Sequence, residues 1–383
     1  MPERTIADQG RPVRRVVVLR GTAVNPWDLR PFEDLGDGYD VTVLTPPNNL
    51  YDAGSLRIRR TPVETLGGRL PGGRAGALAT RVAGERYLGL ADALRGADIV
   101  HAAELGYWFS AQAARLRDAL GFRLVLTVWE TLPFAGAYRN LRTRPYREAT
   151  LAAADLFLAT TERAREALLV EGAAGERIQV APPGIDVERF AAARAAAPAA
   201  DGTHLVLSIG RLVWEKGHQD LLRAVARLRR QGRDDVRVLI VGVGREERRL
   251  RGVIRDFGLE DVVELRGWVP YEELPAVYAR ASCLVLASLP TPFWEEQFGM
   301  VLAEAMAAHV PVVASDSGAI PEVVGGSGTL FGAGDWVGLA EALAGGPLAR
   351  PPGTRHAPEP DRLERYSARA AADRLRAAYD GLP

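Results

Sequence analysis

Short apolar runs rich in β-branched residues alternate with longer helical segments along the whole 383-residue chain. The runs are apolar on both faces, as expected for strands of a parallel sheet that helices cover on both sides. The alternation occurs twice, and the alanine-rich residues 191–203, which lack a clear apolar period, separate the two series. The pattern therefore predicts an α/β protein with two doubly wound, parallel-sheet domains. The predicted strands are Val16–Leu19, Val41–Leu44, Ile99–His101, Leu124–Val128, Leu156–Leu158 and Ile178–Val180, then His204–Ile209, Val236–Val241, Val262–Leu265, Cys283–Ala287 and Val310–Ala314.

Two breaks in this pattern set the expected domain boundaries. The first domain is expected at residues 13–192 and the second at residues 203–360, with a proline-rich stretch at its end. One amphipathic helix, Asp361–Tyr379, is predicted within the final segment, residues 361–383. Because doubly wound sheets bind ligands at the carboxyl ends of their strands, functional residues are expected in the loops that follow the strands.

The composition excludes several classes of function. The chain carries 48 Lys and Arg residues against 48 Asp and Glu residues, whereas a general nucleic-acid-binding protein needs a surplus of cations. The one cysteine, Cys283, excludes an internal disulfide, and its apolar surroundings in the sequence predict a buried thiol. No apolar run could span a membrane and no signal-peptide pattern occurs, which predicts a cytoplasmic protein. The five histidines are scattered and no metal-binding motif occurs, so neither a bound metal nor another cofactor is expected.

The stretch Glu296–Ala307 combines a predicted helix N-terminus with two carboxylates. Gly299 would open the helix Met300–Ala308, whose first amide groups lack acceptors within the helix and therefore suit a phosphate. Glu304 is the one charged residue of that helix, so its carboxylate needs a partner or a ligand. Glu296 precedes the helix, and the two carboxylates flank the predicted anion site. This arrangement suits a nucleotide sugar; the alternative is a solvated Glu296 and an arginine partner for Glu304.

A loop with two cations follows the first strand of the second series. Arg211 and Lys216 lie between Gly210 and Gly217, and both side chains suit phosphate oxygens. Lys216 is the only lysine of the chain, so 48 − 1 = 47 of the basic residues are arginine. A lysine kept at one position of such a chain indicates a functional constraint there, and a solvated charged loop is the alternative.

Three further segments of the sequence, which together contain four residues of interest, lie at the ends of predicted strands. Gly242 and Gly244 follow a strand, but Glu247 stands where a dinucleotide-binding GxGxxG motif has its third glycine, so a tight strand-to-helix turn is predicted. Gly21 follows the first strand and is a candidate for close backbone approach. His101 ends a strand, where it either faces a cleft or is a satisfied core histidine.

The second half contains a set of motifs in the order typical of one enzyme family. They are Gly210–Leu212 followed by Glu215–Gly217, Val241–Gly242 with Gly244, Leu265–Val269, the pair Glu296 and Glu304 at E-x7-E spacing, and Asp316–Glu322. With these motifs, residues 204–345 resemble the family 4 glycosyltransferases, and Asp98–His101 and Pro183–Phe190 match the family in the first half. The resemblance implies the GT-B architecture, in which two Rossmann-like domains face a central cleft. The second domain then binds the donor, and the C-terminal helix packs back on the first domain, the acceptor side.

The resemblance also implies a reaction, the transfer of a sugar from a nucleotide diphosphate sugar to an acceptor with retention of configuration and without a bound metal. Arg211, Lys216 and Glu296 would be catalytic: the two cations neutralise the leaving diphosphate, and the carboxylate contacts the donor sugar. Glu304 would hold the ribose hydroxyls. The other implied donor-binding positions are Gly242, Trp268, Val269, Phe298, Gly299, Met300 and Val301.

The chain departs from the family pattern at three places. Trp129 stands where family members often carry a histidine, which leaves Glu130 or His101 to contact the donor sugar. The glycine-rich loop after the first strand is reduced to Gly21–Ala23, and residues 289–294 lengthen the approach to the first carboxylate. The altered Trp129 position keeps one alternative open, a catalytically silent sugar-nucleotide or partner-binding protein. A second alternative on the same architecture is a nucleotide-sugar epimerase, which would need acid and base residues in both domains, and the sequence shows no such dense set.

The partners are defined only in part. A nucleotide-sugar donor is expected, whereas the base stays open among uridine, guanosine and adenosine, and the acceptor among glycans, lipids and small molecules. The arginine-rich residues 57–74 and 245–255 are interpreted as solvated faces rather than nucleic-acid sites, and a peripheral contact is the one membrane interaction left open. The oligomeric state is open.

Overall fold

The computed structural model describes residues 12–70, 73, 78, 84–135, 143–195, 197–198 and 201–383. The chain divides into two compact units. Unit 1 consists of Met1–Gly184 with Ala368–Pro383, and unit 2 consists of Ile185–Ser367. The chain therefore passes between the units twice, once after Gly184 and once after Ser367.

This division differs from the expected one at both connections. Residues 185–192, expected at the end of the first domain, belong to unit 2, where the ring of Phe190 packs edge-on against Tyr278 at a centroid distance of 5.4 Å. Tertiary packing of this kind places the segment in unit 2, whereas composition alone pointed to the alanine-rich stretch that follows. The single helix expected over residues 361–379 is two helices, Pro360–Arg365 and Ala368–Asp380, and the chain changes unit between them.

The strands of unit 1 are β1 Arg14–Val18, β2 Tyr39–Thr45, β3 Arg59–Pro62, β4 Ile99–Ala103, β5 Arg123–Val128, β6 Leu156–Ala159 and β7 Ile178–Val180. They form a seven-stranded parallel sheet with the order β3-β2-β1-β4-β5-β6-β7. Successive residues of β1 enter different apolar clusters, Val17 on one face and Val16 and Val18 on the other. The sheet is therefore covered on both faces, as its doubly apolar strands predict.

The strands of unit 2 are β8 His204–Ile209, β9 Val236–Val241, β10 Val263–Arg266, β11 Cys283–Leu286, β12 Val312–Ser315 and β13 Thr329–Phe331. They form a six-stranded parallel sheet with the order β10-β9-β8-β11-β12-β13. The order reverses between β8 and β11, which is the switch point where doubly wound sheets bind ligands. The predicted α/β class with two parallel sheets is confirmed; the edge strands β3 and β13 were not predicted.

Helices follow most of the strands. In unit 1 the described helices are Pro26–Glu33, Leu66–Arg69, Leu90–Leu94, Trp108–Leu120, Thr143–Ala153, Glu162–Val170 and Ala368–Asp380. In unit 2 they are Val187–Ala191, His218–Arg230, Glu247–Asp256, Leu274–Arg280, Met300–Ala307, Ile320–Val324, Trp336–Gly345 and Pro360–Arg365. Among the residues that the structure describes, none of the helices has the length and apolar character needed to cross a membrane.

His101 lies in the core of unit 1. Its side chain is fully buried, with Nδ1 2.5 Å from the hydroxyl of Tyr379 and Nε2 2.7 Å from the hydroxyl of Thr127. Burial lowers the pKa of His101, so the ring is neutral at pH 7. The interpretation of His101 as a cleft residue is therefore wrong, because the ring is a satisfied core group that connects β4 to the last helix.

Candidate active site

The loops that follow β8 and β11 lie on the two sides of the switch point of unit 2. The first loop contains the two cations predicted from the sequence, Arg211 and Lys216. The second contains Glu296 and leads into the helix Met300–Ala307. The fold thus brings together two segments about 80 residues apart in sequence, at the edge of the sheet where ligands are expected.

Lys216 and Glu296 form an ion pair. The Nζ of Lys216 lies 2.6 Å from the Oε2 of Glu296, and the two side chains are only 14% and 7% exposed. Ser288, fully buried, donates a hydrogen bond of 2.6 Å to the same Oε2. A buried charge is tolerated when it is paired and hydrogen-bonded, so these contacts explain how the fold accommodates a nearly buried carboxylate here. The alternative of a merely solvated Glu296 does not hold.

The conformation of the first loop depends on glycine. Gly217 has a φ of +68°, and a Cβ at this position would lie 1.7 Å from the carbonyl oxygen of Ala287. The two loops also share a backbone hydrogen bond of 2.8 Å from the N–H of Leu289 to the carbonyl of Glu215. The segment that carries Lys216 is therefore in direct contact with the strand end that leads to Glu296.

Gly242 supports this loop by close backbone packing. A Cβ at this position would lie 1.9 Å from the carbonyl oxygen of Gly210, so only glycine fits between the ends of β8 and β9. The backbone turn predicted there is present, and internal packing accounts for the glycine. The direct donor contact implied for Gly242 by the family resemblance stays a prediction.

His218 holds the loop from the other end. Its Nδ1 lies 3.0 Å from the hydroxyl of Ser208, and its Nε2 lies 3.2 Å from the carbonyl oxygen of Arg211, so Nε2–H is the donor in that bond. Burial lowers the pKa of His218 to about 4, so the ring stays neutral at pH 7. The guanidinium of Arg211 is exposed and forms no ion pair with a residue that the structure describes.

The backbone of Glu296 is fixed by the turn after β12. The carbonyl of Glu296 accepts a hydrogen bond of 2.8 Å from the N–H of Ala319. Gly318 has a φ of +58°, and a Cβ there would lie 2.1 Å from that same carbonyl oxygen. The motif Asp316–Glu322 thus has a structural role at this site, which is to support the backbone that carries Glu296.

The helix after Gly299 begins without a side-chain cap. Leu302 N–H bonds to the carbonyl of Gly299, whereas the N–H groups of Met300 and Val301 find no acceptor among the described residues. Phe298 is buried and its ring packs edge-on against Tyr366 at 5.2 Å. The helix therefore offers free amide donors at the carboxyl edge of the sheet, where they suit an anion.

Glu304 is buried within this helix, and its one described side-chain partner is a tyrosine. Its Oε2 accepts a hydrogen bond of 2.9 Å from the hydroxyl of Tyr278. Burial raises the pKa of Glu304 to about 7, although the tyrosine bond acts in the opposite direction. The alternative of an arginine partner does not hold, because the contact is to a neutral hydroxyl. Oε1 receives no hydrogen bond from a described residue.

The two positions after β10 differ in exposure. Trp268 is 69% exposed, whereas Val269 is 6% exposed. A large indole in solvent at the carboxyl edge of the sheet is a surface onto which a flat ring could pack. Among the described residues, no group of three or more His, Cys, Asp or Glu side chains is arranged to hold a metal ion.

Comparison with known proteins agrees with these features. The family model for glycosyl transferases group 1 matches residues 190–345, and the model for glycosyltransferase family 4 matches residues 35–189. The chain belongs to the family 4 glycosyltransferases.

Two D-inositol 3-phosphate glycosyltransferases are similar to this family member. The protein from Pseudarthrobacter chlorophenolicus is 33% identical over 275 residues, which cover 66% of this chain and 64% of the relative. The protein from Nocardia farcinica is 33% identical over 300 residues, which cover 72% and 62% respectively. The chain thus spans less than two thirds of the length of either relative.

A solved structure gives the fold. Anabaena Alr3699/HepE in complex with UDP has a TM-score of 0.70 and 18% identity, and the match covers 96% of this chain and 100% of that chain. The predicted GT-B fold of two Rossmann-like domains is confirmed for this family 4 member.

Two candidate site residues of unit 1 in this family 4 member, Gly21 and Glu130, make contacts within the protein. The ring of Phe109 occupies the space beside Gly21, because a Cβ at this position would lie 2.8 Å from that ring. The Oε1 of Glu130 accepts hydrogen bonds of 3.0 Å from the N–H groups of Thr131 and Leu132. A contact of Glu130 with the donor sugar stays a prediction.

The sequence analysis did not single out several residues that lie at strand ends or in the candidate site. Glu104 follows β4 with a φ of +61°, and burial raises the pKa of its carboxyl to about 8. Its Oε1 accepts a 2.8 Å hydrogen bond from the N–H of Trp129. In unit 2, Ser288, Trp294 and His218 were missed. A position directly after a strand was the available signal for Glu104 and Ser288, whereas the role of His218 depends on tertiary contacts.

Proposed function

We propose that this protein transfers a sugar from a nucleotide diphosphate sugar to an acceptor, with retention of anomeric configuration and without a protein-bound metal. The observation that carries the proposal is the Lys216–Glu296 pair at the switch point of unit 2. One segment supplies a cation and the other a carboxylate, next to a helix with free N-terminal amides. Each group matches a different part of a nucleotide sugar.

The diphosphate would bind between the cations and the helix N-terminus. An ammonium group has three donors, so Lys216 can keep its bond to Glu296 and still donate to phosphate oxygens. Arg211, exposed and without an ion pair to a described residue, would add a second positive charge, and the amides of Gly299 and Met300 would complete the site. Stabilising the leaving diphosphate in this way is the electrostatic task that a divalent ion performs in other enzymes.

The two carboxylates, Glu304 and Glu296, would bind the ribose and the donor sugar respectively. Glu304 has one oxygen bound to Tyr278 and the other without a described partner, so Oε1 can accept the ribose hydroxyls. Hydrogen bonds from such hydroxyls favour the ionised carboxylate and would lower the pKa that burial raises to about 7. Glu296 would contact the donor sugar, and the nucleobase would pack near Trp268 and Val269.

A uridine donor is the first to test. The Anabaena structure that shares the fold contains UDP, and the relatives carry the name D-inositol 3-phosphate glycosyltransferase. The first fact supports UDP-sugars as donors. The second supports a hydroxylated ring as the acceptor class.

The proposal is tested by incubating the protein with UDP-, GDP- and ADP-glucose, with and without a panel of polyol and sugar acceptors. We expect nucleoside diphosphate to appear from one donor, and faster when a suitable acceptor is present. Proton NMR of the product gives the anomeric configuration, which should match that of the donor. Release of no nucleoside diphosphate under any condition would contradict the proposal, and an inverted product would contradict its stereochemical part.

A further inference from the structure

The segment between β11 and Glu296 forms a closed turn. Thr291 and Trp294 pair as an antiparallel bridge, in which the N–H of Thr291 donates to the carbonyl of Trp294 at 2.7 Å. This turn brings the indole of Trp294 next to Lys216, whose Nζ lies 5.2 Å from the ring centroid. The distance is within the range of a cation–π interaction. The lengthened approach noted in the sequence thus delivers an aromatic ring to the sole lysine.

Ser288 acts on the other partner of the pair. Its hydroxyl donates to the Oε2 of Glu296, the same oxygen that accepts from Lys216. The carbonyl of Ser288 is itself held by a 2.7 Å hydrogen bond from the hydroxyl of Ser315. Two donors therefore occupy Oε2, while Oε1 receives no hydrogen bond from a residue that the structure describes.

We propose that Ser288 and Trp294 are positioning residues for donor recognition. Ser288 fixes Oε2 of Glu296 so that Oε1 is presented to a hydroxyl of the donor sugar. Trp294 holds the ammonium of Lys216 where its remaining donors meet the diphosphate. This assignment rests on the proposed function. It gives the two residues different roles, because the serine affects recognition of the sugar and the tryptophan affects recognition of the diphosphate.

Conformational entropy explains why ordering Lys216 and Glu296 in advance would strengthen donor binding. A lysine side chain has four rotatable bonds and a glutamate three, and ordering such chains at the moment of binding weakens affinity. The serine hydroxyl and the indole ring order these side chains in advance. Their removal should therefore loosen the Lys216–Glu296 pair in the free protein as well as weaken ligand binding.

The first test needs no donor and uses the single lysine. Acetylation of Lys216 by acetic anhydride, which transfers one acetyl group and releases acetate, followed by peptide mass spectrometry against an added lysine peptide, gives the reactivity of one amino group. Ser288→Ala and Trp294→Leu should each raise its acetylation rate by about threefold or more, as expected for loss of an interaction of roughly 0.7 kcal/mol or more. Ser282→Ala is the matched control, because Ser282 is a buried serine at the opposite end of the same strand. Rates equal to that of the wild type in both variants would overturn the proposal.

The second test separates the two roles by calorimetric titration of UDP and UDP-glucose. In Ser288→Ala, affinity for UDP-glucose should fall about tenfold, as expected for a hydrogen bond to a charged group, while that for UDP should fall no more than about threefold, in line with the change in lysine reactivity. Ser288→Thr should restore it. In Trp294→Leu both affinities should fall by a similar factor, and Trp294→Phe should restore them.

An equal loss of both ligands in Ser288→Ala would overturn the assignment of the serine, because a merely structural role predicts that result. Unchanged UDP affinity in Trp294→Leu would overturn that of the tryptophan. If the wild type binds neither ligand, the proposed uridine donor is wrong, and the lysine reactivity alone decides the positioning assignment.

Discussion

The ammonium of Lys216 lies 2.6 Å from the Oε2 of Glu296, across the switch point of the unit 2 sheet and 80 positions away in sequence. The pair joins the only lysine of the chain to a carboxylate that is 7% exposed. Both segments are fixed from outside the pair, by Gly217 against Ala287 and by Gly318 against the backbone of Glu296. The site is therefore organised before any ligand binds.

Breaking this pair from one side should destabilise the fold. Lys216→Met leaves the carboxylate of Glu296 nearly buried with only Ser288 as a partner, and we expect the free energy of unfolding to fall by about 3 kcal/mol. The double variant Lys216→Met/Glu296→Gln removes the unpaired charge and should recover most of that loss. Urea unfolding at pH 7 measures both values. A double variant as unstable as the single one would show that the unpaired charge of Glu296 is not the cause of the loss.

Gly217 should tolerate no side chain. Gly217→Ala places a Cβ 1.7 Å from the carbonyl oxygen of Ala287, so the loop must move, whereas Gly232 has a φ of +84° and nothing within 4 Å of the added Cβ. Gly232→Ala thus measures the cost of the left-handed backbone alone, roughly 1–2 kcal/mol. Gly217→Ala should lower the unfolding free energy by several kcal/mol more and abolish nucleotide binding. Thermal unfolding compares the two, and equal losses would contradict the close contact.

The carboxyl of Glu304 should make stability depend on pH. Burial raises its folded pKa to about 7 from an ordinary value of 4.5, so between these values the folded state keeps a proton that the unfolded state releases. Stability from this group is therefore lost as pH rises from 4.5 to 7, by about 3 kcal/mol in total. Glu304→Gln cannot ionise and should become progressively more stable than the wild type over that range.

Urea unfolding of both proteins at pH 4.5, 6 and 8 provides the measurement. A stability difference that stays constant with pH would rule out this titration. The same variant should bind UDP more weakly than the wild type, because the ribose would lose its carboxylate acceptor.

Tyr379 should attach the last helix to strand β4, within unit 1, through its hydrogen bond with His101. The hydroxyl lies 2.5 Å from Nδ1 of the buried ring, so Tyr379→Phe leaves a polar atom without a partner at a cost of about 1–3 kcal/mol. Tyr107→Phe is the control, since that ring is 51% exposed and its substitution should change stability little. Chemical denaturation of the two variants distinguishes them. Equal stability would mean that the hydroxyl bond contributes nothing.

Residues with an unusual sequence context could be predicted, and residues defined by packing could not. Lys216 stood out as the only lysine, and Glu304 as the one charge in an apolar helix; the structure places both in unit 2 at loops and helices of the switch-point edge. Strands β8 and β9 have the predicted bounds because each is an apolar run that contains at most two polar residues. The edge strand β3, Arg59–Pro62, is mostly polar, so hydrophobic periodicity gives no signal for it.

The sequence could not decide whether a glycine or a histidine contacts a ligand or packs within the protein, and the reason is physical. Gly21 was a candidate for close backbone approach, and the resemblance implied a donor contact for Gly242; protein atoms lie close to both glycines. His101 and His218 are both buried and neutral, one in a core and one beside the candidate site. The sequence reports that a small or titratable residue is present, and only the tertiary contacts decide what surrounds it.

The most direct test of the whole account is calorimetric titration of UDP, GDP and ADP into the wild type, Lys216→Ala and Arg350→Ala. Arg350 is an exposed cation without an ion pair to a described residue, so its variant controls for the loss of one positive charge. We predict that at least one nucleoside diphosphate binds the wild type and the control equally, and binds Lys216→Ala about tenfold more weakly or worse. Binding of none of the three, or equal affinity in Lys216→Ala and the wild type, would contradict a diphosphate site at this lysine.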